Sequence, residues 1–203
     1  MSDFPSQQKL ILASASFSRF KLLDSLGLDF KVIPANCDEE SIKADFGSSD
    51  SFIELATRLA SCKALEVSQR HPEAFVIGAD QFCVIGDQYL DKPLTQATAS
   101  QHLHLLSGKT HQQISACCIA KAGSILWQDY DIAQLTMRQL SDDHIDSYLR
   151  LDSPYNSCGA YHYEGRAKWL FEKVEGSDST ILGLPLLLLT QALIELKAIA
   201  LWR

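Results

Sequence analysis

The sequence lacks the features that mark membrane, secreted and nucleic-acid-binding proteins. Its longest apolar run covers residues 181–189 and contains Pro185, whereas a membrane-spanning helix needs about 20 apolar residues. No apolar run follows a basic stretch in the first ten residues, so we expect no secretory signal or transit peptide, and a mature chain that starts near Met1. With 18 Lys and Arg against 25 Asp and Glu, the net charge of −7 argues against a nucleic acid polymer or an anionic membrane as the main partner.

The cysteines show no pattern of a disulfide framework. None is spaced as CxxC, and most lie in apolar stretches, where a free thiol packs like a small hydrophobic side chain. We therefore predict reduced thiols in a cytoplasmic protein. The chain also has no internal repeat and no linker rich in Gly, Ser or Pro, so its 203 residues predict a single domain, 1–203, with room for two lobes.

Hydrophobic periodicity predicts an α/β protein with a mixed, twisted sheet flanked by helices. Strands are predicted over residues 10–13, 30–34, 74–78, 82–85, 89–90, 114–120, 125–137 and 168–174. Helices are predicted over residues 17–26, 51–68, 95–106, 141–149 and 184–199. The most polar stretch, 38–51, is predicted to be a loop that ends where Ser51 caps the second helix.

Lys63 occupies an unusual position in the predicted helix 51–68. At 100° per residue it falls in the middle of the apolar stripe, between Ala60 and Val67. An ammonium that faces a core is costly unless it meets an anion. From spacing alone two interpretations stay open: the long stem carries the charge to the surface, or the ammonium has an anionic partner.

Asp80 interrupts a stretch that is otherwise suited to a protein core. Residues 74–86 are apolar or Gly except for Asp80 and Gln81. A carboxylate in such a place is either a turn residue paired with backbone amides or a working acid, base or metal ligand. The sequence alone does not separate these two interpretations.

A group of hydroxyls precedes an arginine where the first strand passes into the first helix. Ser14, Ser16, Ser18 and Arg19, together with the free amides of a helix N-terminus, are suited to binding an anion. Ordinary capping of the helix by Ser explains the same pattern equally well. The acidic run 38–40 is likewise typical of a solvated loop when it is considered alone.

In combination, these segments resemble one family over residues 10–189. The matching segments are LILASASFSRFKLL (10–23), the DEE run (38–40), RLASCKA (58–64), VIGADQ (76–81), DKPLT (91–95), LSGKTH (106–111), GAYHYEG (159–165) and GLPLL (183–187). Their order and spacing resemble the Maf nucleoside triphosphate pyrophosphatases, once called septum-formation inhibitors. The resemblance implies a Maf/ITPase-like fold.

The resemblance implies hydrolysis between the α and β phosphorus atoms of a nucleoside triphosphate, with a divalent metal such as Mg²⁺, Mn²⁺ or Co²⁺. In this family phosphates are contacted by the strand-to-helix element and by two lysines, which correspond here to Ser14, Ser16, Arg19, Lys63 and Lys92. Cations suit this task because phosphoryl transfer depends on neutralising charge on the phosphate oxygens.

Three carboxylates receive roles from the same resemblance. Asp80 corresponds to the general base or metal-linked activator of water. Asp38 and Glu39 correspond to the acidic pair that helps hold the metal together with Asp80.

The resemblance also locates three positions associated with selection of the base: Ser18, Gln81 and Glu164. Members that act on dTTP and UTP usually carry Arg, Thr and Gln at these positions. Gln81 and Glu164 instead resemble the branch that acts on 7-methyl-GTP, where a carboxylate can pair with the positively charged methylated guanine. That branch has a bulky aromatic where this chain has Ser18, and the usual SxSPRR start is changed at Phe17 and Ser18.

The leading hypothesis is a cytoplasmic, metal-dependent pyrophosphatase that acts on free nucleotides, with 7-methyl-GTP as the substrate that the base-selecting positions favour. A pyrophosphatase of the dTTP and UTP type is the alternative within the family. A nucleotide-binding regulator of cell division that does not turn over its ligand is the alternative from another class. The resemblance also suggests a homodimer.

Overall fold

The computed structural model describes residues 8–47 and 51–200, so most of the N-terminal segment examined for a leader lies outside the described residues. The strands are β1 (Leu10–Leu12), β2 (Phe30–Val32), β3 (Phe75–Ile85), β4 (Gln88–Leu90), β5 (Thr110–Lys121), β6 (Ser124–Met137) and β7 (Phe171–Glu175). The α-helices are α1 (Phe17–Asp24), α2 (Glu39–Ala44), α3 (Phe52–Arg70), α4 (Gln96–Leu106), α5 (Asp142–Asp152), α6 (Asp178–Ile181) and α7 (Leu186–Glu195). Two short 3₁₀ turns cover Cys158–Ala160 and Arg166–Leu170.

The strands form a mixed sheet in the order β2-β1-β3-β5-β6-β7, with β4 paired to β3. β1 runs parallel to both β2 and β3, whereas β3 and β4, and likewise β6 and β7, are antiparallel. Parallel neighbours require crossover connections, and α1 and α3 lie in the two segments that join these parallel strands. The predicted α/β class with a mixed sheet is confirmed.

The described residues divide into two compact units. The first unit contains the residues up to Gln81, then Ser115–Asp131, then the residues from Gly183 onward. Its core combines apolar side chains from β1, β3, β5 and α7, including Leu12, Ile77, Ile119, Leu189 and Leu193. Buried apolar strands on one side and an apolar helix face on the other are what the hydrophobic pattern predicts.

The second unit contains Phe82–Ile114 and Ile132–Leu182. Its core combines apolar side chains from α4, β6 and α5, including Leu103, Leu106, Leu135, Ile145 and Leu149. Thr95 caps α4 and Ser141 caps α5, each through its side-chain oxygen, as expected for these residue types.

Two predicted boundaries are wrong in ways that concern the site. β3 is one continuous strand through Asp80 and Gln81, not two short runs, because these two side chains are accommodated half-buried within the strand. The predicted loop 38–51 contains α2, which Asp38 caps by accepting a hydrogen bond from the Ser41 amide at 3.0 Å. Helix α2 has only six residues, too few for hydrophobic periodicity to reveal it.

Further boundaries move by a few residues. The last helix ends at Glu195 and not at residue 199. The strand predicted from residue 168 begins at Phe171, because the Arg166–Leu170 turn precedes it. Helix α3 begins after Ser51 as predicted, with a capping box that Glu54 completes.

Candidate active site

Lys63 lies buried between two carboxylates. Its Nζ is 3.0 Å from Asp80 Oδ1 and 3.0 Å from Glu39 Oε1, and the residue is only 9% exposed. The interpretation in which the stem carries the ammonium to the surface is therefore wrong, and the anionic partner is the correct alternative. A charge in this position is tolerated because it is paired on two sides.

Close packing of α3 on β3 brings Lys63 to Asp80. Gly78 of β3 lies against α3, where a Cβ would overlap the Ala60 carbonyl oxygen and lie 2.8 Å from the Ala64 amide nitrogen. Only glycine allows the helix backbone to approach the strand this closely. Close packing thus explains why the VIGADQ segment has glycine at position 78, two residues before the carboxylate that Lys63 contacts.

Asp80 faces two cations from within β3. Besides Lys63, Arg19 approaches it, with Nη2 3.8 Å from Oδ1. The Asp80 side chain is 14% exposed, so its carboxylate is largely removed from water and yet retains an open edge. The interpretation of Asp80 as a turn residue is wrong, because the residue continues a strand.

The junction of β1 and α1 combines helix capping with a buried arginine. Ser16 caps α1, its Oγ accepting from the Arg19 amide at 3.4 Å, and Ser14 Oγ accepts from the Ser16 amide at 3.1 Å. The Arg19 side chain donates from Nε to the Gly183 carbonyl at 2.8 Å and from Nη1 to Ser14 Oγ at 3.5 Å. Ordinary capping is therefore present, and a guanidinium lies beside it.

We refer to Arg19, Glu39, Lys63 and Asp80 as the charged cluster. All four belong to the first unit, and two cations meet two carboxylates in it. Asp38, by contrast, is exposed and caps α2. Among the described residues, no group of three or more His, Cys, Asp and Glu side chains is arranged to hold a metal by itself.

The remaining predicted site residues are distributed over both units. Ser18 and Gln81 are half-buried in the first unit. Lys92 and Glu164 are exposed in the second unit.

A second buried polar group was not anticipated from the sequence. In the second unit Gln113 Nε2 donates to the Tyr161 hydroxyl at 2.6 Å, and that hydroxyl lies 2.8 Å from His111 Nε2. Burial lowers the pKa of His111 to about 4, so its imidazole is neutral at pH 7. We refer to His111, Gln113 and Tyr161 as the neutral cluster; the SGKTH segment contains its histidine.

The cysteines agree with the prediction of reduced thiols. All six are free. Burial and a hydrogen bond to Cys62 raise the pKa of Cys37 to about 12. Burial is the main reason that the pKa of Cys118 rises to about 11. These thiols are neutral at pH 7 and are poor candidates for nucleophiles.

The fold as a whole resembles that of a HAM1 protein from Coxiella burnetii. The two superpose with a TM-score of 0.50 over 93% of this chain and 99% of that chain, at 16% sequence identity. At this identity the likeness defines the class of fold alone, a Ham1/ITPase-like α/β fold.

The family follows from sequence comparison. The model of the Maf-like protein family matches residues 9–196, so this chain belongs to the Maf family. It is 53% identical over 199 residues to a protein of Legionella pneumophila strain Corby named nucleoside triphosphate pyrophosphatase, covering 98% of this chain and 99% of that protein. It is 43% identical over 194 residues to a protein of Rhizobium etli named 7-methyl-GTP pyrophosphatase, covering 94% of this chain and 98% of that protein.

Within residues 8–47 and 51–200, no helix is long and apolar enough to span a membrane.

Proposed function

We propose that this protein is a nucleoside triphosphate pyrophosphatase that acts at the charged cluster. Water adds to phosphorus, the α–β phosphoanhydride breaks, and the products are a nucleoside monophosphate and pyrophosphate. The observation that carries the proposal is the convergence of Lys63 and Arg19 on the Asp80 carboxylate. The names of the Legionella and Rhizobium relatives support it.

The cations of the cluster bind and neutralise the polyphosphate. Lys63 and Arg19 donate to non-bridging oxygens, with Ser14, Ser16 and the amides at the start of α1 completing the cradle. On the family resemblance, we also assign Lys92 to phosphate binding. Because Lys63 is already paired with two carboxylates, substrate binding exchanges one of these pairs for a phosphate oxygen.

Asp80 orients the attacking water and takes its proton. A carboxylate that is 14% exposed and flanked by two cations is available to one small molecule at its open edge. Its position within β3, rather than on a loop, fixes the direction of that water relative to the cradle.

The cluster suits a divalent cation by its donor set and its charge. Asp80 and Glu39 both pair with Lys63, at 3.0 Å each, so the two carboxylates lie near each other, and hard oxygen donors are the ligands that Mg²⁺ and Mn²⁺ prefer. The charges of its two cations and two carboxylates sum to zero, so further positive charge is needed to neutralise a bound polyphosphate. We assign Asp38, Glu39 and Asp80 to this cation, together with phosphate oxygens. When bound, it would supply charge neutralisation and lower the pKa of water.

The base is selected by Ser18, Gln81 and Glu164. Gln81 follows the catalytic carboxylate directly and offers an amide for hydrogen bonds to a base edge. Glu164 offers a carboxylate that pairs best with a cationic base, so we propose 7-methyl-GTP as the preferred substrate. Preference for dTTP or UTP is the alternative outcome within the same reaction.

Product analysis tests the proposal. The protein is incubated with 7-methyl-GTP, GTP, dTTP, UTP and CTP in the presence of Mg²⁺, Mn²⁺ or Co²⁺, and the nucleotide products are separated by chromatography. We expect monophosphate and pyrophosphate in equal amounts. Diphosphate and inorganic phosphate would contradict the assigned bond, and nucleotide binding without any product would favour the regulator that does not turn over its ligand.

A further inference from the structure

One backbone carbonyl fixes the direction of Arg19. The Nε–H of Arg19 donates to the Gly183 oxygen at 2.8 Å, in a buried contact between residues 164 positions apart. With Nε engaged, the terminal nitrogens Nη1 and Nη2 face Ser14 Oγ and the Asp80 carboxylate. Because the guanidinium is planar and rigid, one anchored nitrogen sets the direction of the other two.

The residue that provides this carbonyl can only be glycine without strain. Gly183 has φ +94°, a conformation that L side chains rarely adopt. A Cβ there would lie 3.1 Å from Gln81 Oε1, 3.3 Å from Arg19 Nε and 3.4 Å from Arg19 Nη2. Gly183 therefore lies against two side chains of the candidate site at once, one for phosphate and one for the base.

The segment around Gly183 is firmly placed. Leu184 is fully buried in the core of the first unit, and Pro185 begins the turn into α7. Neither neighbour leaves the glycine free to move away from Arg19 when a side chain is added.

We propose that Gly183 is a positioning residue that sets the direction of Arg19 toward the phosphates and the space for Gln81 beside the base. This inference rests on the proposed pyrophosphatase function. It assigns to the first residue of the GLPLL segment a role that the sequence does not reveal.

The test is the Gly183→Ala variant in pyrophosphate release. We expect kcat to fall by about 10- to 100-fold, because misplacing a charge-stabilising group by about 1 Å has effects of that size. We also expect the ratio of kcat/KM between the two best nucleotides to change, because Gln81 is displaced in the same variant. A residue that served only folding would leave this ratio unchanged.

Gly86→Ala is the matched control. Gly86 also has positive φ, +61°, but nothing lies within 4 Å of a Cβ built on it. It therefore has a positive φ without the contacts, and we expect kcat and the nucleotide ratio to stay unchanged, with a smaller loss of melting temperature than in Gly183→Ala. Activity in Gly183→Ala equal to that in Gly86→Ala would overturn the proposal.

A double-mutant cycle separates positioning from independent damage. A lysine side chain has no Nε–H that can donate to the Gly183 carbonyl. In the Arg19→Lys background, adding Gly183→Ala should therefore lower activity by less than threefold. An equal loss in both backgrounds would overturn the proposal. For the same reason Arg19→Lys should recover less than tenfold over Arg19→Ala; full rescue by lysine would contradict an oriented guanidinium even if Gly183→Ala failed to fold.

Failure of the proposed function has a separate signature. If the wild-type protein releases no pyrophosphate from any nucleotide, that function fails, and the inference is judged from calorimetric binding of inorganic tripolyphosphate. We then expect binding weakened about tenfold in Gly183→Ala and unchanged in Gly86→Ala. Equal affinity in the two variants would overturn the positioning role.

Discussion

The two units each bury a polar cluster, and the clusters differ in charge and in access to solvent. The charged cluster of the first unit brings together two cations and two carboxylates, and the Glu39 side chain remains 42% exposed. The neutral cluster of the second unit consists of an imidazole, an amide and a phenol, with His111 and Gln113 at 1% and 2% exposure. One is open to a ligand from solvent, and the other is sealed.

The difference indicates which polar residues carry chemistry. Buried charges are costly, and a protein that only needed to fold could replace the charged cluster with apolar side chains at little loss. The neutral cluster meets most of its hydrogen-bonding needs internally, although His111 Nδ1 and Gln113 Oε1 have no hydrogen-bond partner among the described residues. We therefore expect substitutions in the first cluster to affect activity and those in the second to affect stability.

Replacing Lys63 should lower activity strongly. Lys63→Met preserves the length of the stem but removes the charge that neutralises phosphate oxygens, so we expect kcat/KM to fall by about 10²- to 10³-fold. The measurement is steady-state pyrophosphate release, with melting temperatures recorded in parallel. Lys9→Met is the control, because Lys9 is paired with Glu73 at the surface and is 74% exposed; activity losses of similar size in both variants would contradict the role of Lys63.

The neutral cluster should make stability depend on pH. The pKa of His111 is about 4 in the folded protein, below its ordinary value of 6.5, so the unfolded chain binds the additional proton. Its contribution is present above pH 6.5 and is lost as the pH falls toward 4; by pH 5 the loss is about 2 kcal/mol. Urea unfolding of wild type and His111→Gln between pH 7.5 and 5 checks this.

The free energy of unfolding of His111→Gln should fall less steeply between pH 7.5 and 5 than that of the wild type, whatever the stability of the variant at pH 7.5. Parallel curves would show that His111 does not titrate in this range. The other histidines contribute equally to both proteins, so the difference between the curves isolates His111.

His104 should have the smallest effect. It is exposed and lies 2.9 Å from Asp142, a hydrogen bond that is the main reason its pKa is raised. Surface pairs of this kind contribute little, so we expect His104→Ala to keep activity within about twofold and melting temperature within a few degrees. A larger loss of activity would show that functional residues extend beyond the charged cluster.

Much of the first unit could be predicted from sequence because its signals are local. The apolar stripe of α3 revealed Lys63 as out of place, and the apolar run of β3 did the same for Asp80. Both positions violate the usual distribution of charge, and residues that break such rules are often functional.

The parts that could not be predicted depend on contacts between distant residues or on very short elements. The Gly183 carbonyl meets Arg19 across 164 residues, and no pattern marks a backbone oxygen as a ligand. The neutral cluster joins β5 to Tyr161, about 50 residues away in the chain. Helix α2 could not be predicted because its six residues, four of them polar, are too few to show hydrophobic periodicity.

The most direct test compares one substitution in each cluster under the same conditions. Pyrophosphate release is measured at pH 7.5 for wild type, Asp80→Asn and Tyr161→Phe, at a temperature below the melting point of all three. We expect a loss of about 10³-fold or more in Asp80→Asn, because the group that orients and deprotonates water is gone, with Tyr161→Phe within about threefold of wild type. Wild-type activity in Asp80→Asn would contradict the catalytic role of the charged cluster.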